Sequence, residues 1–134
     1  MSERPELCVG AVAIVDGHLL LIERGRGAAV GQWSIPGGRV ERGETMTAAV
    51  ERELLEETGV SAQCGPLIGW VERISTDHHF VIADFLVNPA IGMDEALRPG
   101  DDAANAKWFR VDELEGVDLV AGLLDFLREH ALVP

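Results

Sequence analysis

The chain has 134 residues, 47% of them apolar, so we expect a single domain over residues 1–134 with a sizeable core. Its formal net charge of −12, from 11 basic and 23 acidic side chains, argues against binding DNA or RNA through phosphate neutralisation. An acidic protein that handles phosphate groups would need a bridging metal cation. The two cysteines, Cys8 and Cys64, form no CxxC pair, and no apolar run reaches membrane-spanning length. We therefore expect a reduced, cytoplasmic protein that binds neither nucleic acid nor membranes.

The first third of the chain predicts a β-hairpin. Leu7–Val15 and His18–Glu23 are apolar runs joined by Asp16-Gly17, which is a strong two-residue hairpin signal. After a loop, Trp33–Ile35 is a short apolar strand, and the Pro-Gly-Gly sequence at 36–38 predicts a turn. This part of the chain is therefore expected to form mainly antiparallel strands.

The second half of the chain predicts three more strands and a final helix. Ala62–Ser75 and His78–Val87 have the composition of strands, and Ala106–Val111 predicts a last short strand. The polar segment 88–104 contains two prolines, so it is expected to be a long functional loop. Leu119–His130 is amphipathic, with Leu and Phe side chains on one stripe. Strands alternating with two helices predict an α/β sandwich around a mixed β-sheet.

Three carboxylates lie on one arc of a predicted helix. Thr45–Thr58 contains neither Gly nor Pro and is rich in helix formers, and Gly59 is expected to end this helix. Glu53, Glu56 and Glu57 are three and four residues apart, so their side chains lie together. Like charges repel at these spacings, and the macrodipole disfavours anions in the last turns of a helix. A divalent cation such as Mg²⁺ or Mn²⁺ would compensate them, whereas the alternative is a solvated acidic face.

The residues around this helix resemble the Nudix box. Gly38 is followed after five residues by Glu44, and after seven more by the run Arg52–Val60, which reads Arg-Glu-Leu-Leu-Glu-Glu-Thr-Gly-Val. The lead-in at 33–38 and the strand at 108–109 are also similar to this family. The resemblance covers nearly the whole chain and implies a Nudix hydrolase with an α/β/α sandwich and a central mixed sheet. Such an enzyme cleaves a diphosphate linked to another moiety by attack of water on phosphorus, with Mg²⁺ or Mn²⁺.

The resemblance also implies roles for individual residues. The implied metal ligands are three carboxylates and one backbone carbonyl, those of Glu53, Glu56, Glu57 and Gly37. Arg52 would hold the carboxylates in place, and Glu44 would support it by bonding back to Arg52. The four glutamates and Arg52 together are the catalytic group that the resemblance assigns.

The general base remains open between a box glutamate and an acidic residue of the loop 88–104. Asp94, Glu95, Asp101 and Asp102 lie in this loop, and Glu95 is its only glutamate. The two aspartates that follow Pro-Gly also predict a simple capped turn, which is the alternative to a catalytic role. The loop therefore supplies candidate bases without selecting one.

Three further residues are candidates for binding the substrate. Arg24 and Arg39 border the Pro-Gly-Gly segment, where guanidinium groups could bind substrate phosphates. Phe80 lies near the start of a predicted strand and could stack on a nucleobase. For each arginine the alternative is an ordinary solvated side chain, and for the aromatic ring it is packing.

The expected substrate is ADP-ribose or a similar nucleotide sugar. Three segments resemble the short ADP-ribose pyrophosphatase-like branch of the family, namely 79–86, 99–103 and 106–109. The alternative is a nucleoside triphosphate diphosphatase that removes modified nucleotides. A non-catalytic nucleotide sensor is disfavoured because every box carboxylate is present. An isoprenoid-diphosphate isomerase is disfavoured because neither cysteine lies where that chemistry needs one. The chain is expected to be a monomer or a homodimer.

Overall fold

The computed structural model describes residues 4–27, 29–90, 96–100 and 102–134. In these residues seven strands form one sheet, accompanied by two α-helices and a short 3-10 helix, Leu114–Gly116. The strands are β1 (Glu6–Val15), β2 (His18–Arg24), β3 (Trp33–Ser34), β4 (Gly37–Arg39), β5 (Ala62–Ile74), β6 (His79–Pro89) and β7 (Ala103–Arg110). The helices are α1 (Met46–Thr58) and α2 (Leu123–Glu129). Neither of these helices has the length and apolarity needed to cross a membrane.

Strand β1 organises the sheet. The order is β3-β2-β1-β6-β5, with β4 also paired to β1 and β7 to β2. The β1–β6 pair is parallel and the other pairs are antiparallel, so the sheet is mixed, as predicted. Each face of β1 packs against a different helix, because successive side chains point to opposite faces. The α/β sandwich predicted from the sequence is confirmed.

Two apolar clusters hold the helices to the sheet. On one face, α1 packs on β1, β2 and β6, burying Val9, Ala11, Ala13, Leu20, Ala49, Val50, Leu54, Ala83 and Phe85. On the other face, α2 packs through Leu123, Phe126 and Leu127 on Val12, Leu19 and Leu21. The helix α1, which carries the glutamates of the Nudix-like segment and is called the box helix below, therefore lies on one face of the sheet. The C-terminal helix α2 lies on the other.

The predicted ends of α1 are close to those observed. The Thr45 hydroxyl accepts a hydrogen bond from the Ala48 N–H at 3.1 Å, so Thr45 is the N-cap and the helix begins one residue later. Gly59 ends the helix with a left-handed φ of 78°, and its N–H donates to the Leu55 carbonyl. The box helix is thus fixed at both ends by residues that the sequence identifies.

The turn predicted at 36–38 is wrong for its two glycines. A bend occurs at Pro36, but Gly37 and Gly38 belong to β4, which pairs with Cys8–Gly10 of β1. Neither glycine has a left-handed φ. Glycine suits this strand because it has no Cβ atom: a side chain at Gly37 would collide with the Val9 carbonyl. The glycines therefore allow close packing around this strand.

Three other predicted boundaries also differ from the structure. α2 begins at Leu123 instead of residue 119, because Gly122 has a φ of 83° and Leu119 forms a parallel bridge with Trp33. The predicted loop 88–104 is shortened at both ends, since β6 runs to Pro89 and β7 begins at Ala103. Apolar periodicity locates such elements but marks their ends poorly.

Candidate active site

Arg52 connects a carboxylate just before the box helix with carboxylates in the C-terminal half of that helix. Its Nε and Nη2 donate to the two oxygens of Glu44 at 2.7 and 2.9 Å. Its Nη1 donates to Glu53 at 2.8 Å and to Glu56 at 3.3 Å, and Nη2 also donates to the Arg39 carbonyl at 3.0 Å. The guanidinium fork suits such paired contacts. The bond between Arg52 and Glu44 that the resemblance implies is present.

The Glu44 carboxylate is held in its charged form. The hydrogen bond from Arg52 is the main cause that lowers the pKa of Glu44 to about 2, and a backbone hydrogen bond from Glu41 adds to it. The same contacts raise the pKa of Arg52. This pair therefore keeps its charges, and it fixes the guanidinium beside the remaining glutamates.

Glu57 is a buried carboxylate that contacts β4, the glycine strand (Gly37–Arg39). The residue is 8% exposed, and its Oε1 accepts a hydrogen bond from the Gly37 N–H at 2.8 Å. Burial raises the pKa of Glu57 to about 7; the Gly37 hydrogen bond and the Arg24 charge act in the opposite direction, whereas Glu53 and Asp102 act with burial. Helical spacing predicts the direction in which Glu57 points but does not predict this burial.

Glu53 lies directly over the second glycine of this strand. A Cβ atom on Gly38 would lie 2.5–2.6 Å from the Glu53 carboxyl atoms, so glycine leaves room for the carboxyl in this position. Burial raises the pKa of Glu53, and the hydrogen bond from Arg52 acts in the opposite direction. The glycine strand thus forms a cradle against which two glutamates of the box helix pack.

Glu56 is the exposed member of the predicted ligand set. Its side chain is 59% exposed, compared with 15% for Glu53. In the part of the chain that the structure describes, no group of three His, Cys, Asp or Glu side chains is placed so that it could hold a metal ion. The donors nevertheless suit Mg²⁺ or Mn²⁺, because they are hard carboxylate oxygens in a glycine-lined cradle, and two of them are partly desolvated. The residues present therefore fit the metal that the resemblance implies.

The loop before β7 contacts the C-terminal end of the box helix. The Arg98 N–H donates to the Thr58 carbonyl at 2.8 Å, and the Gly100 N–H donates to the Glu57 carbonyl at 3.2 Å. These carbonyls belong to the last turn of α1, which has no further helical donors for them. Asp102 follows close to this contact, and its charge helps to raise the pKa of Glu57. Of the other predicted bases, Asp94, Glu95 and Asp101 lie outside the described residues.

Two arginines at the C-terminal end of β2 lie near the box helix and the loop that precedes β7. Arg24 is the last residue of β2, one residue beyond the predicted run, and its charge acts on Glu57. Arg26 forms an ion pair with Asp102, and the Gly25 N–H donates to the Asp102 carbonyl at 3.0 Å. The structure therefore brings Arg24 and Asp102 to the same end of the sheet as Glu57.

Arg39 and Phe80 lie together beside β1. Arg39 forms an ion pair with Glu6 at 2.7 Å, and its guanidinium carbon is 5.9 Å from the centre of the Phe80 ring. The His78 ring stacks on Phe80 at 4.5 Å. The structure thus places these two predicted substrate residues next to each other, with the Phe80 ring partly exposed.

Asp84 is a buried carboxyl that the sequence analysis misses. It lies in the middle of β6, where it is 4% exposed, and its Oδ1 has no hydrogen-bond partner among the described residues. Burial raises the pKa of Asp84 to about 7, and the positive charge of Arg73 acts in the opposite direction. The available signal was one acidic residue inside an otherwise apolar strand.

We expect Asp84 to make stability depend on pH. The folded carboxyl keeps its proton up to about pH 7, whereas the unfolded one loses it near pH 4, so the folded state binds more protons between these values. The free energy of unfolding should therefore fall as the pH rises from about 4 to 7, by at most about 1.4 kcal/mol per unit. Urea unfolding of wild type and Asp84→Asn across this range measures the effect. Glu57 titrates in both proteins and cancels, so a constant difference between them would contradict the prediction.

Comparison with known proteins identifies the family. A family model described as the NUDIX domain matches residues 4–129. The crystal structure of a MutT NUDIX hydrolase from Burkholderia pseudomallei is similar, with a TM-score of 0.81 and 30% identity, over 94% of this chain and 98% of that one. The chain therefore belongs to the Nudix family, which confirms the resemblance seen in the sequence.

Two relatives carry names that specify different substrates. An ADP-ribose pyrophosphatase of Methanocaldococcus jannaschii is 35% identical over 111 residues, covering 82% of this chain and 64% of the relative. An oxidized purine nucleoside triphosphate hydrolase of Danio rerio is 32% identical over 109 residues, covering 77% and 65%. This chain thus spans slightly less than two thirds of the length of each relative.

Proposed function

We propose that this chain hydrolyses a nucleoside diphosphate linked to another moiety, with ADP-ribose or a related nucleotide sugar as the substrate. The observation that carries the proposal is the arrangement of Arg52, Glu53 and Glu57 against the glycine strand β4. The partly desolvated carboxylates of Glu53 and Glu57 repel each other and so destabilise the fold. Their retention side by side favours a role in binding a cation and a phosphate group.

The proposed metal ligands are Glu53, Glu56 and Glu57, with the Gly37 carbonyl as a fourth. A bound Mg²⁺ or Mn²⁺ would neutralise phosphate charge and lower the pKa of a water molecule. Arg52 keeps Glu53 and Glu56 oriented, because one guanidinium donates to both. The Gly37 N–H fixes one oxygen of Glu57, and the other oxygen is the proposed metal ligand.

Two further residues of the site act on the substrate in this proposal. Arg24 lies close enough to influence Glu57, and a guanidinium there would bind an oxygen of the diphosphate. A base removes a proton from the attacking water, and the candidates are Glu57 and the acidic residues that precede β7. Asp102 is the one of those loop residues that the structure describes, and it lies near Glu57.

The choice of substrate is supported by the archaeal relative, whose name specifies ADP-ribose. The fish relative favours the second candidate, hydrolysis of an oxidised nucleoside triphosphate to a monophosphate and pyrophosphate. The two candidates share the same chemistry at phosphorus and differ in the group that leaves. The box residues therefore do not distinguish between them.

A substrate screen with Mg²⁺ tests the proposal. ADP-ribose, other nucleotide sugars, dinucleoside polyphosphates and the nucleoside triphosphates, including 8-oxo-dGTP, are incubated in H₂¹⁸O and the products analysed by chromatography and mass spectrometry. We expect AMP and ribose 5-phosphate from ADP-ribose, with ¹⁸O in one of the two phosphates. Preferred release of pyrophosphate from a triphosphate would support the second candidate. Equal activity in a mock purification that lacks this protein would reveal a contaminant, and no hydrolysis of any compound would contradict both candidates.

A further inference from the structure

We propose that Asp84 recognises the nucleobase of the substrate by hydrogen bonding to an N–H group on the edge of the base. This inference rests on the proposed function, because it assigns the part of the site that binds the nucleoside. It concerns the face of the sheet opposite α1.

The unpaired state of the carboxyl is the first observation. Asp84 is 4% exposed, and within the described ranges its Oδ1 accepts no hydrogen bond. A buried carboxyl without a partner is destabilising, and an apolar residue of similar size would avoid that cost. A ligand that supplies the missing partner would account for such a group.

The neighbouring strand β1 has a glycine, Gly10, directly beside this carboxyl. Gly10 of β1 pairs with Asp84 in the parallel register, and a Cβ atom on Gly10 would collide with Asp84 Oδ1. The same Cβ would lie 2.8 Å from Ile35 Cδ1. Glycine at this position therefore keeps open the space into which Asp84 and Ile35 project.

The position relative to the box is the second observation. Gly10 pairs with Asp84 on one side and with Gly37 on the other, and Gly37 is the residue whose N–H binds Glu57. Two strand spacings of about 4.8 Å therefore separate the Asp84 backbone from the glycine strand. Because β4 pairs with β1 alone among the described strands, a nucleotide that passes this edge of the sheet would span the separation between a phosphate at the box and a base at Asp84.

The surroundings of Asp84 suit a planar, largely apolar ligand. Phe80, Ile82 and Asp84 alternate along β6 and share one face, and we call these three residues the β6 strip. Phe80 and Ile82 are partly exposed, whereas Asp84 is buried, so the strip ends in the carboxyl. The charged group that acts on Asp84 is Arg73, whose guanidinium lies near Gly122 before α2.

The chemistry of the carboxyl limits what it can bind. Once Asp84 is ionised, above about pH 7, its oxygens only accept hydrogen bonds and repel a phosphate group, so the partner must donate an N–H or O–H. Every nucleobase offers an N–H donor, and the sugar offers hydroxyl donors. The apolar strip favours the base, since a ring can pack on it while its edge reaches the carboxyl.

Ligand binding to Asp84→Asn tests the assignment. Asparagine has the same shape but replaces one acceptor oxygen with an NH₂ donor that faces the donor of the base. AMP, GMP, CMP and UMP are titrated at pH 8 with Mg²⁺ by calorimetry, and ribose 5-phosphate serves as the probe that lacks a base. We expect the tightest-binding nucleotide to lose about 10- to 100-fold in affinity, the effect of a hydrogen bond to a charged group, with ribose 5-phosphate unchanged.

Each other outcome overturns the assignment. Equal losses for the nucleotide and ribose 5-phosphate would assign Asp84 to the sugar, and no loss for either would remove it from the site. A wild type that binds no nucleotide more tightly than ribose 5-phosphate would also contradict the proposal. Glu72→Gln is the matched control, because Glu72 is an exposed carboxylate on the neighbouring strand that bonds to His79.

Folding and catalysis are controlled separately. Thermal unfolding at pH 8 should show Asp84→Asn to be at least as stable as wild type, because the substitution removes a buried charge. A lower stability would indicate that Asp84 has a structural role. Selective loss of nucleotide binding in a protein that hydrolyses no substrate would support Asp84 and refute the proposed hydrolysis. Hydrolysis of a substrate together with unchanged nucleotide binding in the variant would support the proposed hydrolysis and refute the role of Asp84.

Discussion

Glu57→Gln is expected to lower kcat by about two to four orders of magnitude while the protein remains folded. This is the usual range for the loss of a positioned acid–base or charge-stabilising group. The amide oxygen of glutamine can still accept the hydrogen bond from the Gly37 N–H, so the contact between α1 and β4 is kept. The substitution also removes a charge that burial disfavours, so apo stability should stay equal or rise.

Steady-state kinetics and thermal unfolding with and without Mg²⁺ check this result. Mg²⁺ should raise the Tm of the wild type more than that of Glu57→Gln, because a ligand of the native state stabilises it. Glu115→Gln is the control, since Glu115 is a 77% exposed glutamate paired with Arg128 away from the box helix. Full activity of Glu57→Gln, or equal Tm shifts in both proteins, would exclude Glu57 as a metal ligand.

Arg52→Lys is expected to lower kcat by about 10- to 100-fold, although it keeps the positive charge. Losses of this size follow when the outer partners of metal ligands are removed. A lysine has one ammonium group and cannot bond to Glu44 through two nitrogens while also donating to Glu53. The glutamates would then lose their orientation, so Mg²⁺ should also bind more weakly to the variant.

Arg110→Lys provides a matched control for this substitution. Arg110 also donates two hydrogen bonds to one carboxylate, that of Asp112, but it is exposed and lies at the end of β7. Kinetics at varied Mg²⁺ concentration should show a higher metal requirement for Arg52→Lys and no change for Arg110→Lys. If the two variants behave alike, Arg52 has no special effect on the glutamates.

The sequence predicts the box helix well because its signals are local. Thr45 and Gly59 fix its ends through one capping hydroxyl and one left-handed φ, both within a few residues of the helix. The shared arc of the glutamates follows from the helical period alone. Their different burial does not, because the depth of Glu57 depends on β4, which is brought to it by pairing with β1.

Long-range pairing also explains what the sequence does not reveal. The Pro-Gly-Gly segment predicts a turn, yet Gly37 and Gly38 are needed for the close approach of Val9 and Glu53. Asp84 becomes notable only when the parallel register places it beside Gly10. Contacts between residues so far apart in the chain leave no periodic pattern in the sequence. Composition alone does not predict them either.

The hydrogen bonds from Arg98 and Gly100 to the end of α1 have a consequence for protein engineering. A loop exchanged from another Nudix protein to alter substrate choice would have to supply the same two N–H donors. It would also need glycine at position 100, because a Cβ there would collide with the Glu56 carbonyl. Chimeras that keep residues 98–100 should therefore retain metal affinity, whereas full replacements should lose it together with specificity.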